Sequence, residues 1–134
     1  MKAINELIFD QTAHYSVEHT WAKLEGELVT IGISDFAQSH LDEIVYVELP
    51  NVGDRYNIND MFGVVESVKT ASDLFIPVGG EVIEVNTELE NAPDLINQNP
   101  FVNGWMVRIK PSDIKEWQGL LSADAYAANI KEQM

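Results

Sequence analysis

The sequence predicts a mainly β domain, a small sandwich or barrel with short helices and a C-terminal helical tail. Three observations predict it: two-residue hydrophobic alternation through the first two thirds of the chain, turn residues at short intervals, and clear helical spacing only after Pro111. The 134 residues, 46% hydrophobic and 22% charged, suit one domain with its own core, so 1–134 is read as a single domain.

Trp21 to Leu24 and Leu28 to Ile33 flank Glu25-Gly26, where the glycine suits a tight hairpin. Val29, Ile31 and Ile33 then share one face. Ser34 offers an N-cap oxygen to a short helix over 35–41, and alternation resumes from Ile44 to Leu49 until Pro50, Gly53 and Asp54 close it. Met61 to Val68 and Thr70 to Val78 read as strands around a Val68-Lys69 turn. Gly79-Gly80 reverses the chain into Glu81–Val85, which carries two acids on one face. Ala92-Pro93-Asp94-Leu95 starts a helical turn ended by Asn99-Pro100, and Trp105 to Ile109 is a further strand. In the tail, Ser112 caps a segment bearing Ile114 and Trp117 and stopped near Gly119. Ser122 caps another bearing Tyr126 and Ile130 at i, i+4.

Eight Lys and Arg against 22 Asp and Glu give a formal net charge of -14. That surface repels phosphate and anionic headgroups, which disfavours nucleic acid and membrane as partners and leaves proteins or small molecules. With no cysteine, the polypeptide has no disulfide, thiolate metal site or sulfur redox chemistry of its own. The first ten residues lack the basic start and apolar run of a signal peptide, and no stretch is long and apolar enough to span a bilayer. The expected location is cytoplasmic, or that of a mature form without its targeting segment; the expected state is a monomer.

Between Arg55 and Arg108 the only Lys or Arg is Lys69, among Asp60, Glu66, Asp73, Glu81, Glu84, Glu88, Glu90 and Asp94. The plain reading is a surface turn lysine paired with Glu66 or Asp73, worth about 0.2–1 kcal/mol. A catalytic lysine is a second reading, but an ordinary lysine amine is almost wholly charged at neutral pH, and acidic neighbours work against its deprotonation. The third is that another enzyme acylates the amine and makes it a tether. A protruding hairpin tip with a long side chain suits that use.

Glu66-Ser67-Val68-Lys69-Thr70-Ala71-Ser72-Asp73 closely resembles the lipoyl-attachment segment of the glycine cleavage system H protein family. The resemblance continues through His19-Thr20-Trp21, Gly32–Gln38, Ile44–Asp54, Gly80–Asn86, Leu95-Ile96-Asn97, Gly104-Trp105 and Ala125-Tyr126, in order and at the family's spacing. A biotin carrier would resemble Met-Lys-Met at the tip, and a 2-oxoacid dehydrogenase lipoyl domain Asp-Lys-Ala. Here the tip is Val-Lys-Thr.

The resemblance implies a barrel-sandwich hybrid of the lipoyl/biotinyl-carrier kind, and a lipoylated shuttle of glycine catabolism that is not itself an enzyme. Lipoic acid would be attached to Lys69 by a lipoylating enzyme. Glycine decarboxylase (P protein) would load the aminomethyl group, and aminomethyltransferase (T protein) would pass it to tetrahydrofolate. Dihydrolipoyl dehydrogenase (L protein) would then reoxidise the arm. The resemblance also implies a cleft that shelters the loaded arm, partly lined by the segment Glu18, His19, Thr20 and Trp21. Independently of the resemblance, the position of His40 by the short helix puts it within reach of that cleft. Family members commonly carry Glu where this chain has Thr20, so one acidic contact to the aminomethyl amine is either missing or supplied by Glu18. Gly79 likewise stands where Ser is common. The alternative within the resemblance is an H-like relay that holds lipoyl or octanoyl groups in lipoate biosynthesis for transfer to 2-oxoacid dehydrogenases.

Glu66, Ser67 and Asp73 read as tip recognition marks for the lipoylating enzyme or a basic partner; equally, the two acids keep the tip soluble and repel wrong partners. His14, His19 and His40 lie five and 21 residues apart, a spacing of no compact metal motif, so no metal is expected. Trp21, Trp105 and Trp117 are read as packing residues. The absence of a nucleophile elbow or phosphate-cradling loop argues against catalytic residues.

Overall fold

In the computed structural model, which describes residues 2–133, Gly26 adopts φ +66° and turns β2 (Thr20–Glu25) into β3 (Leu28–Ile33). Opposite each other across this hairpin stand Trp21 and Gly32. A Cβ on Gly32 would lie 2.6 Å from the Trp21 ring, so the missing side chain is what lets the indole lie flat on the strand. The chain continues into α1 (Asp35–Leu41), where Ser34 Oγ accepts the Ala37 N–H at 3.1 Å as an N-cap. Asp35, buried in that helix, accepts from Lys2 Nζ at 2.8 Å, Ile8 N–H at 2.9 Å and Gln38 Nε2 at 2.6 Å. These bonds tie the N-terminal segment to α1.

The remaining strands are β1 (His14–Tyr15), β4 (Ile44–Glu48), β5 (Arg55–Tyr56), β6 (Met61–Ser67), β7 (Ala71–Phe75), β8 (Gly80–Val85) and β9 (Val107–Pro111). They form a six-stranded sheet ordered β1-β2-β3-β9-β8-β5 and a three-stranded sheet ordered β4-β6-β7, with every pair antiparallel. The two sheets share one core in which Val29, Ile31 and Ile33 meet Ile44, Val47, Val65 and Leu74. The arrangement is the expected mainly β sandwich, and neither sheet closes into a barrel. A second apolar cluster joins Tyr15, Trp21 and Phe36 to Tyr126 and Ile130 of α4 (Ala123–Gln133). Tyr15 and Tyr126 stack at 4.5 Å between ring centres. This cluster fixes the helical tail against β1, β2 and α1.

Several local expectations shift. The two-residue strands β1 and β5 are too short to leave a periodic signal. The strand expected at Trp105–Ile109 lies at Val107–Pro111, although Met106 N–H already bonds Ile31 O at 2.8 Å. The strand expected over 70–78 ends at Phe75, and the tip spans three residues, Val68 to Thr70. Ser112 does not cap α3 (Lys115–Gln118). The Lys115 N–H bonds Asp113 Oδ1 at 3.0 Å, one residue nearer the helix start. Besides the expected turn at α2 (Leu95–Gln98), a 3-10 turn forms at Thr87–Glu90 under the Asn86 side chain. Ser122 Oγ caps α4 as expected, through the Ala125 N–H at 3.2 Å.

Strict alternation would separate Glu81 from Glu84. A register shift between Val82 and Glu84 instead sets them opposite Lys110 and Arg108, alternate residues of β9. Both acids are paired from outside the cation-poor stretch, Glu81 with Arg55 and Glu84 with Arg108, each at 2.8 Å.

Candidate functional site

The β6–β7 hairpin presents Lys69 at its tip because Ser67 organises the turn. Ser67 Oγ accepts the N–H groups of Lys69 and Thr70, each at 3.1 Å, while Ser67 N–H donates to Thr70 O at 2.8 Å. Val68 N–H reaches Glu43 O at 3.0 Å and anchors the tip to the start of β4. Val68, Lys69 and Thr70 are all exposed. Lys69 forms no ion pair with Glu66 or Asp73. Its Nζ donates to His40 O at 3.1 Å and lies 3.6 Å from Asp42 Oδ2, because the C-terminal end of α1 abuts the tip. Asp42 follows α1 with φ +62°. Nothing in its sequence context marks it as the neighbour of Lys69.

Beside that helix end opens a cavity of about 390 Å³, within the size range of small-ligand sites. Glu18, His19, Thr20 and His40, scattered over 23 positions of sequence, line it together, and Asp73 enters from β7. Ile33, Phe36, Leu41, Val65 and Leu74 supply its apolar surface. Of the tip residues, Asp73 reaches this cavity, whereas Glu66 and Ser67 do not line it. Thr20 is buried and its hydroxyl is bonded to Ser16 Oγ at 2.7 Å, so the carboxylates bordering the cavity are those of Glu18 and Asp73.

His19 has φ +70°, a conformation that costs a non-glycine residue about 1–3 kcal/mol and persists only where its surroundings impose it. Here its N–H donates to Ser16 O, its carbonyl accepts the Ser34 N–H, and its ring lies 4.9 Å from Phe36. His40 also packs against Phe36, at 4.1 Å between ring centres. His14 lies elsewhere, stacked on Trp117 at 3.9 Å. Among the described residues, no three His, Cys, Asp or Glu are grouped to hold a metal ion. Trp21 Nε1 donates to Pro100 O and Trp117 Nε1 to Ala22 O, while Trp105 lies under the Arg108 guanidinium.

Burial pushes the His19 imidazole pKa below its ordinary value of 6.5, with the nearby His40 acting in the same direction and Glu18 opposing. The unfolded chain therefore takes up this proton at a higher pH than the folded one. The His19 contribution to stability is intact above pH 6.5 and is lost as pH falls below that value towards the folded pKa. Thermal melts are expected to show decreasing stability from pH 7 to pH 5.5. His19→Gln is expected to flatten that slope, and an unchanged slope would contradict the assignment.

The family model described as glycine cleavage H-protein matches residues 13–133. The chain is 51% identical over 119 residues to a glycine cleavage system H protein of Halalkalibacterium halodurans, covering 89% of this chain and 93% of that one. It is 51% identical over 118 residues to the protein of that name in Bacillus licheniformis, with 88% and 93% covered. The crystal structure of a glycine cleavage system H protein from Mycobacterium marinum superimposes with a TM-score of 0.84 at 32% identity, covering 91% of this chain and 98% of that one.

Proposed function

The chain belongs to the glycine cleavage H-protein family, and from that premise we propose that Lys69 bears the lipoyl group and that the adjoining cavity shelters the cargo-bearing arm. The protein is the non-catalytic, lipoylated carrier of the glycine cleavage system. It takes the aminomethyl group of glycine from the decarboxylase to the aminomethyltransferase, then presents the reduced arm to dihydrolipoyl dehydrogenase. Residues 1–134 form one lipoyl-carrier domain in this reading, placed in the cytoplasm with its partner enzymes. No helix among the described residues is long and apolar enough to cross a membrane.

One observation carries the site assignment: the lone lysine of the central segment stands exposed on a pinned turn, against the helix end that borders the cavity. The chain has no cysteine, so the attached dithiolane supplies all the sulfur chemistry. The protein's part is to hold and present. Covalent attachment raises the effective concentration of cargo at each partner. Within the cavity, Glu18 and Asp73 offer negative charge to a cationic amine, and the apolar surface excludes water from the cargo's bond to sulfur. Ser67 orders the tip for the lipoylating enzyme, while Glu66 remains an exposed acid for recognition.

Glu18→Gln and Asp73→Asn are each expected to leave attachment at Lys69 unchanged and to raise spontaneous loss of the aminomethyl cargo about threefold, the scale of a partly exposed charge pair. Intact-mass time courses measure both quantities. Unchanged loss in the double variant, with wild-type protein still protecting its cargo, would remove these carboxylates from the site.

A further inference from the structure

The C-terminal helix borders the cavity with Gln133 and reaches the cavity residue His19 through one buried hydroxyl. Tyr126 OH lies 2.9 Å from His19 Nδ1 and 2.7 Å from Ser34 Oγ, and both Tyr126 and Ser34 are sealed from solvent. Proton accounting fixes the direction of this chain. Ser34 Oγ already accepts the Ala37 N–H, so its own proton needs an acceptor, and the Tyr126 oxygen is the one within reach among the described residues. The Tyr126 proton must then go to His19 Nδ1. The reverse order would leave the Ser34 proton buried without an acceptor, a costly arrangement. Burial also holds the Tyr126 phenol well above its ordinary pKa, so it keeps the proton it donates.

Nδ1 is thus an acceptor and the ring proton sits on Nε2. Nε2 has no partner among the described residues, and no buried side-chain nitrogen among them lacks one, so Nε2 is the nitrogen open to solvent on a ring that lines the cavity. We propose that Tyr126 is a positioning residue of the arm site: it locks His19 as the neutral Nε2–H tautomer, which presents the cavity with a hydrogen-bond donor and no positive charge. A charged imidazole there would repel a cationic amine, whereas the neutral donor complements the acceptor atoms of the arm. The other ionisable groups facing this ring are Glu18, His40 and Asp73, all at the cavity, and Tyr126 itself. The helical tail thereby becomes a working wall of the site. This role in the loaded state rests on the sheltering reading of the cavity; the tautomer does not.

The test uses the full chain in two forms. In unmodified protein at neutral pH, nitrogen NMR of His19 is expected to show Nδ1 unprotonated and Nε2 protonated. Tyr126→Phe is expected to give a tautomer mixture and an upward shift of the His19 titration. In lipoylated, aminomethyl-loaded protein, Tyr126→Phe is expected to lose cargo about fivefold faster, on the scale of one hydrogen bond. Tyr15→Phe controls for stability. It removes another buried phenol hydroxyl, one bonded to Asp10 O at 3.0 Å and outside the cavity lining, and it is expected to keep the Nε2–H tautomer and the slow cargo loss. A protonated Nδ1 in wild-type protein overturns the proposal, as does equal cargo loss from wild type and Tyr126→Phe when wild type protects. If wild-type protein loses cargo as fast as free aminomethyl-dihydrolipoamide, the sheltering reading falls and the proposed role in the loaded state falls with it, while the NMR result still decides the tautomer.

Discussion

Lys69→Arg is expected to fold normally and to gain no lipoyl group from a competent lipoylating enzyme, whereas the wild-type chain gains one. The substitution keeps the positive charge and the reach to His40 O and Asp42, so contacts of the unmodified tip survive. What it removes is an amine that can form the amide. Of the other five lysines, Lys2 and Lys23 are held in ion pairs with Asp35 and Asp10, and none of the five stands on the β6–β7 tip. Intact mass and peptide mapping read the result directly. Decarboxylase-dependent exchange between glycine and bicarbonate is expected to fall to the level of unlipoylated protein. A lipoyl group on the variant would overturn the attachment site.

The second large effect lies away from the tip. A Cβ on Gly63, in β6, would collide with the Glu48 carbonyl oxygen and crowd Leu74. Both obstacles lie in the strands that flank β6, so Gly63→Val must push β4 from β6 or rebuild the pairing. The expected cost is about 3 kcal/mol, near the upper end for overpacking, or a melting temperature lower by about 10 °C. The β4-β6-β7 sheet supports the tip, and Val68 N–H is anchored at Glu43, just before β4. Lipoylation is therefore expected to slow even well below the melting temperature. Unchanged melting and lipoylation together would show that this close approach is not needed.

Legibility varied with the range of the interaction. The Ser34 cap, the β2–β3 hairpin and the Lys69 hairpin were readable because their cause lies within a few residues: a side-chain oxygen before a helix, a glycine at a turn, alternation on both sides of a tip. The two-residue strands β1 and β5 were not readable, since pairing with β2 and β8 defines them. Glu81 and Glu84 illustrate a mixed case. Their shared face was expected, but the register shift that creates it depends on β9. The cavity residues His19 and Thr20 were legible only through the family motif around them, while the capture of the Thr20 hydroxyl by Ser16 depends on how the β1–β2 turn folds back.

By itself the sequence determined the β-rich class, the absence of polypeptide sulfur chemistry, the acidic surface and the isolation of Lys69 in an acid-rich central segment. These follow from composition and short-range pattern, which survive without knowledge of distant neighbours. Only the tertiary structure decided that Lys69 rests on His40 O and Asp42 rather than Glu66 or Asp73, that Asp73 joins Glu18 at the cavity, and that Tyr126 meets His19 across 107 positions. The physical reason is that hydrogen bonds and charge pairs act over a few ångströms. Which groups come that close depends on how the two sheets, α1 and the helical tail pack together.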